Sequence, residues 1–250
     1  MFLRFINLIC LLICIAPFFV AAQTVGSSAD VHQIVKRMMA AQQENRARLH
    51  TFTVKRDYQV LDKQMERKAQ VVANVTVVPP GQEQSKIESN SGGMIWQKIL
   101  RDVMAKESES PEDQRRTEIS PENYDFRLTG EQILEGRRCY LLALIPKVQD
   151  RDLVRGQAWV DEETYNIPRI EGDATKSPSW WVLDLHILMA YGEVDGMWVR
   201  KFTHAVANVR FKGKYVMESR ALEYHSTGQT ASGTQHNLKP GILAGSAVNP

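Results

Sequence analysis

The residues whose types best suit them to chemistry lie in the second half of the chain, around two histidines. Asp184 and His186 alternate along an extended segment and so point to the same side, as an acid–base pair or two metal ligands would. His204 lies beyond the next turn, Asp195-Gly196. A two-residue turn of that kind fixes strand register. With Val194 opposite Met197, Tyr191 faces Arg200, Met189 faces Phe202, Ile187 faces His204 and Leu185 faces Val206. That register sends His186 and His204 to opposite faces and excludes a two-histidine metal site. Asp184 and His186 then share a wet face with Lys201 and Thr203, where solvated charge is the ordinary state. His204 falls beside Ile187 on the apolar face, satisfied by a neighbouring hydrogen bond or available to a ligand's head group.

No other pattern in the chain supports catalysis. There is no Gly-x-Ser-x-Gly, no His-Glu-x-x-His, no glycine-rich phosphate loop and no Cys-x-x-Cys. Glu162-Glu163 and the pair Glu171 and Asp173 sit beside turns as solvated carboxylates. Cys139 lies inside the apolar run Cys139-Tyr-Leu-Leu-Ala-Leu-Ile145 and reads as a buried small hydrophobe. The reading is of a protein that is not an enzyme and uses no cofactor and no metal. The charge balance is close to neutral, 31 Lys and Arg against 29 Asp and Glu, which leaves no electrostatic footprint for nucleic acid.

The elements that would position these residues follow an apolar leader. Arg4, the run Phe5 to Val20 and the small residues Ala21-Ala22 form a cleavable export signal over residues 1–22, followed by a spacer over 23–29. Export predicts a periplasmic location, and Cys10 and Cys14 leave with the leader, so the mature chain has no internal disulfide. A domain over residues 30–225 comes next, and a polar tail over 226–250 buries too little apolar surface to order itself. Ala29 to Leu49 reads as a helix capped by Asp30, with Val31, Ile34, Val35, Met38 and Met39 on one face. From Thr51 the period changes to two. Strands follow over Phe52 to Val60, Arg67 to Val78 and Gln84 to Ser89, and Gly92-Gly93 opens a second helix with Trp96, Ile99, Leu100 and Val103 on one face.

Nearly everything after Tyr124 reads as strand: Tyr124 to Leu128, Arg138 to Pro146, Val154 to Asp161, Pro168 to Asp173, Trp181 to Val194, Met197 to Phe211 and Lys214 to Tyr224, with turns at Glu135-Gly136, Asp195-Gly196 and Lys212-Gly213. The fold class is mainly β with α: a large curved antiparallel sheet, an unclosed β-barrel, with helices packed in its concave face. The expected register collects Leu185, Ile187, Met189, Tyr191, Phe202, His204 and Val206 on one apolar face, which needs a cover of helix or lipid. Trp180-Trp181 must point to opposite sides of an extended strand, so one indole packs and the other is exposed or covers an edge.

The order of elements resembles the outer-membrane lipoprotein carrier family, the LolA/LolB-like group. Carrying the likeness are Ile34 to Tyr58, Pro121-Glu-Asn-Tyr-Asp-Phe-Arg-Leu128 running into Glu135-Gly-Arg-Arg-Cys-Tyr140, and Gly156-Gln-Ala-Trp-Val-Asp161 through Pro168-Arg-Ile-Glu-Gly172. The resemblance implies an unclosed barrel with a helical lid over a hydrophobic cavity that takes lipid or the acyl chains of lipoproteins, for transport or sorting toward the outer membrane. Trp96, Ile99, Leu100 and Val103 would belong to the lid, and the apolar face just described to the cavity wall. It further implies a monomer that meets an inner- or outer-membrane acceptor protein. A periplasmic sensor of the same fold, binding a protein partner, is the alternative.

Overall fold

The computed structural model describes residues 30–79, 82–107 and 115–226, so the leader, the spacer and the tail beyond Ser226 lie outside the described residues. Among the described residues, α1 (Val31–Arg48), α2 (Met94–Glu107) and a helical turn over 115–117 accompany ten strands: β1 (Phe52–Asp62), β2 (Arg67–Val78), β3 (Gln82–Gly92), β4 (Tyr124–Leu134), β5 (Arg137–Pro146), β6 (Val154–Asp161), β7 (Arg169–Ala174), β8 (Val182–Val194), β9 (Met197–Val209) and β10 (Gly213–Ser226). They form one antiparallel sheet in the order β3-β2-β1-β10-β9-β8-β7-β6-β5-β4. Its edges, β3 and β4, are consecutive in sequence, and the segment containing α2 runs between them. The barrel is unclosed.

Local signals set most of the boundaries. Asp30 caps α1 by accepting from the His32 amide at 2.9 Å. Ile34, Val35 and Met38 form its buried stripe, and Arg46 and Arg48 sit in its last turn, where cations suit the helix dipole. Glu135-Gly136 and Asp195-Gly196 both take positive φ at both positions, which gives the two-residue turn that matches strand twist. The β9–β10 connection differs from the expected Lys212-Gly213 turn. It spans Arg210 to Lys212, with Phe211 at φ 65 and Gly213 at φ 83.

β4 runs to Leu134 rather than stopping at Leu128. Its second half is the polar stretch Thr129-Gly-Glu-Gln132, with an irregularity between Leu128 and Gly130. An edge strand gains from polar side chains and a bulge, which blunt pairing with another chain, so the missing apolar alternation there marks an edge rather than an end.

Three apolar clusters pack against one face. Under α1, Ile34, Val35 and Met38 meet Tyr124, Leu142, Leu144, Val160 and Ile170, with Met189 and Tyr191 at the margin. Under α2, Leu100 and Met104 meet Tyr58, Val60, Ala69, Val71 and Ala73, and the Trp96 ring lies tilted against Tyr215 with centroids 4.4 Å apart. The third cluster joins Phe52, Val54 and Val75 to Met197 and Val199 from the tip of β9. Cross-strand pairs place the sheet residues under both helices on one continuous face, so both helices lie on it. At β6–β7 the sheet pinches: Gly156 pairs with Gly172, and a Cβ on Gly156 would lie 2.0 Å from the Glu171 carbonyl oxygen.

Candidate functional site

The site builds from a register break that the sequence did not reveal. Val194 opposes Met197 and Tyr191 opposes Arg200, as the turn predicts, but Ala190 opposes Phe202. Lys201 is the extra residue of a β-bulge, and a shift of one sends every later β9 side chain to the other face. Met189 therefore faces Thr203, Ile187 faces Ala205 and Leu185 faces Ala207, in place of Phe202, His204 and Val206.

The expected wall divides accordingly. Leu185, Ile187, Met189 and Tyr191 lie on the helix-bearing face, and Phe202, His204 and Val206 lie on the opposite one. The exclusion of His186 and His204 from a common face is likewise corrected: His204 faces Leu188 and Val206 faces His186, so the two histidines share the outer face. They are held apart there by different partners. His186 bonds Asp173 at 2.8 Å and Glu171 at 3.4 Å, while His204 bonds Glu218 at 3.1 Å. Among the described residues no three His, Cys, Asp or Glu side chains gather as a metal site would require.

On the helix-bearing face, α1 and α2 leave a strip of sheet between them. α1 covers the strands from β4 to β7, and α2 covers β1, β2 and the start of β10. Between these, Leu185 and Ile187 of β8 are half-buried and belong to none of the three clusters. The side chains opposite them are small, Ala207 and Ala205, which deepens the strip relative to its flanks. From Leu185 to Tyr191 it runs for roughly 20 Å at about 3.3 Å per residue.

A buried polar group ends the strip. Arg56 is only 4% exposed, with one guanidinium nitrogen donating to Ser219 Oγ at 3.3 Å and another to the Arg200 carbonyl at 2.6 Å. Its Nε and the Oγ1 of Thr203 are buried without a partner among the described residues. Ser219 pairs with Thr203, and Thr203 with Met189, so this patch adjoins the Met189 end of the strip. A buried cation held only by neutral acceptors is costly, and an anionic or acceptor group beside it would relieve that cost.

The two helices are fastened differently. Asn45 of α1 donates to the Trp198 carbonyl at 2.8 Å and accepts from its amide at 2.7 Å. Arg37 donates to the Tyr165 hydroxyl, and Arg46 pairs with Glu118 at 2.8 Å. In α2, Lys98–Asp102, Arg101–Gln97 and Gln97–Gly92 bonds stay within the helix or its entry, so apolar contacts through Leu100 and Met104 hold it down. Of the lid residues, Leu100 is fully buried, Trp96 half-buried on Tyr215, and Ile99 and Val103 half-buried outside all three clusters.

The outer face carries a polar groove of about 790 Å³ lined by Gln132, Arg155, Gln157, Glu171, Asp173 and His186 among others. Both ring nitrogens of His186 meet carboxylates. Burial opposes its protonation, but the bonds to Asp173 and Glu171 outweigh burial and raise its pKa above the usual histidine value. No serine or cysteine lines this groove, and Trp159 is occupied, its indole N–H donating to Gln132 at 2.7 Å with Arg169 over its ring. Thr129 brings a hydroxyl to the lining, donating to the Leu141 carbonyl at 3.0 Å, and Gln132, Glu171, Asp173 and His186 are engaged in cross-strand pairs. Cys139 is buried, and burial pushes its thiol up to about 11.

No family model matches the sequence, and no curated protein matches it. Solved structures do. The chain is similar to a domain from Vibrio parahaemolyticus described as an outer membrane lipoprotein-sorting protein domain, at 13% identity and a TM-score of 0.41, over 78% of this chain and 94% of that one. It is similar at 12% identity and a TM-score of 0.41 to a LolA superfamily protein from Nitrosomonas europaea, over 76% of this chain and 92% of that one. MucB in the MucA/MucB complex of Pseudomonas aeruginosa is a third, at 11% identity and a TM-score of 0.27, over 77% and 93%. The carrier group that the sequence resembles is thus among the structures found, and likenesses this loose assign no activity.

Proposed function

We propose that the protein is an exported, non-enzymatic carrier or binding protein that holds an acyl chain of a lipid or lipoprotein along the strip between α1 and α2. The observation that carries this reading is the half-covered apolar floor at Leu185 and Ile187, with small residues opposite and, at one end, a buried guanidinium whose Nε has no partner among the described residues. Leu185, Ile187, Met189 and Tyr191 supply the wall. Trp96, Ile99, Leu100 and Val103 supply a lid that moves at the Gly92-Gly93 entry, since α2 is held by apolar contact that a chain can replace in kind.

Magnitudes shape the ligand. Ten buried methylenes contribute about 8 kcal/mol at roughly 0.8 each, against an association cost of about 4–15 kcal/mol. One chain alone hardly offsets that cost. A head group accepting from Arg56 and Thr203, or a second chain, has to add the remainder, which favours an amphiphile over a plain hydrocarbon. The apolar run over residues 1–22, read as an export signal, supports a periplasmic location for such a carrier.

The test is quenching by a fatty acid brominated along its chain, which reports only nearby indoles. Wild type shows saturable quenching, and Trp96→Phe loses most of it. Quenching that is absent, or unchanged in Trp96→Phe, would contradict the placement.

A further inference from the structure

We propose that one end of the sheet is a docking rim for an anionic lipid surface, a function separate from ligand binding in the strip. Consecutive turns along this end each hold out a large apolar side chain. The β7–β8 connection presents Trp180, 81% exposed, with Trp181 beside it. The β9–β10 turn presents Phe211, 97% exposed, and the β1–β2 turn presents Met65, 57% exposed. Met94 and Ile95, 86% and 71% exposed, follow at the start of α2.

These turns are neighbours in the sheet. The Arg210 amide donates to the Trp181 carbonyl at 2.8 Å, Tyr215 pairs with Asp62, and the Gly93 amide donates to the Lys68 carbonyl at 3.1 Å. At about 4.8 Å per strand the row from β3 to β8 spans roughly 24 Å. Phe211 is the most telling member. It occupies a left-handed backbone, φ 65, that glycine or asparagine would take freely and a bulky residue does not. Among the described residues nothing covers its ring.

Charge selects the occupant. Lys63, Lys176, Arg210, Lys212 and Lys214 stand between the apolar tips and make no ion pair among the described residues. The acids of the β1–β2 turn, Asp62 and Glu66, are both held by Lys68 at 2.7 and 2.9 Å. Isolated aromatic points on projecting turns, set among free cations, fit a fluid anionic interface: rings enter at head-group depth while ammonium groups meet phosphates. A protein partner would require a separate pocket for each tip. Beside this rim lies the entry of α2, so docking brings the helix to the bilayer.

The test is flotation of the full exported chain with vesicles of phosphatidylcholine alone or with one third phosphatidylglycerol. Wild type is expected to favour the anionic vesicles by at least about tenfold, less so as salt rises. The double variants Phe211→Ser/Trp180→Ser and Lys176→Glu/Lys212→Glu each lose about tenfold or more with unchanged thermal unfolding, because all four sites are exposed turns. Ile187→Thr, which disables the strip, floats like wild type, so failure here and failure of the carrier reading are distinguishable. Equal flotation of wild type with both vesicles, rim variants that float like wild type, or a loss in Ile187→Thr matching theirs would each overturn the proposal.

Discussion

Replacing Ile187 by threonine separates ligand binding from folding. The substitution keeps the β-branch that suits a strand, removes one carbon and turns a methyl group into a hydroxyl. Ile187 is half-buried, lies opposite Ala205 and belongs to no apolar cluster, so without ligand the change costs under about 1 kcal/mol. With an acyl chain over it, the loss is the contact of roughly two methylenes plus partial desolvation of the hydroxyl, about 2 kcal/mol or thirtyfold in Kd. Met38→Ala is the opposite case. Met38 is fully buried under α1, and its truncation costs about 2–5 kcal/mol of stability while the strip keeps its lining. Urea unfolding measures the first quantity, and displacement of a fluorescent fatty acid measures the second. An Ile187→Thr protein that binds within threefold of wild type, or that loses as much stability as Met38→Ala, would refute the reasoning.

Three further outcomes follow from the geometry. Gly156→Ala forces a Cβ to 2.0 Å from the Glu171 oxygen, so the backbone must shift and stability falls by roughly 2–4 kcal/mol in thermal unfolding, whereas Gly93→Ala, whose Cβ meets only Trp96 at 3.5 Å, is nearly neutral. The Cys139 thiol, held up to about 11 by burial, reacts with a disulfide reagent at pH 8 only as fast as the protein opens, and prompt reaction in the folded state would contradict its enclosure. His186 titrates above the ordinary histidine value because its carboxylate partners outweigh burial, so its contribution to stability is complete below the unfolded pKa and is lost as pH rises through the folded one; imidazole NMR titration should show Asp173→Asn lowering that pKa.

Much of this architecture was legible where one local rule acts alone. Asp30 and the stripe Ile34, Val35, Met38 specify α1, and two two-residue turns specify their hairpins. The bulge at Lys201 was not legible, because no glycine marks it and its effect appears only in the pairing of β9 with both neighbours. Carrying the register of the Asp195-Gly196 turn unbroken along β9 placed Phe202, His204 and Val206 inside. The sheet turns its small residues inward instead, Thr203, Ala205 and Ala207, and gives Phe202 the Arg220 guanidinium as cover at 4.7 Å. His204 offered one clue, since Glu218 lies opposite it once the β9–β10 turn is set at Arg210 to Lys212. Arg56 went unnoticed because alternation alone does not say that a cation will face the core.

Native mass spectrometry of the protein, purified without detergent and followed by lipid extraction, tests the central claim most directly. The account predicts a bound amphiphile at one per chain, or its stoichiometric uptake when a diacyl lipid or acylated peptide is added. A clean ligand-free mass with no uptake would contradict it and turn attention to a protein partner.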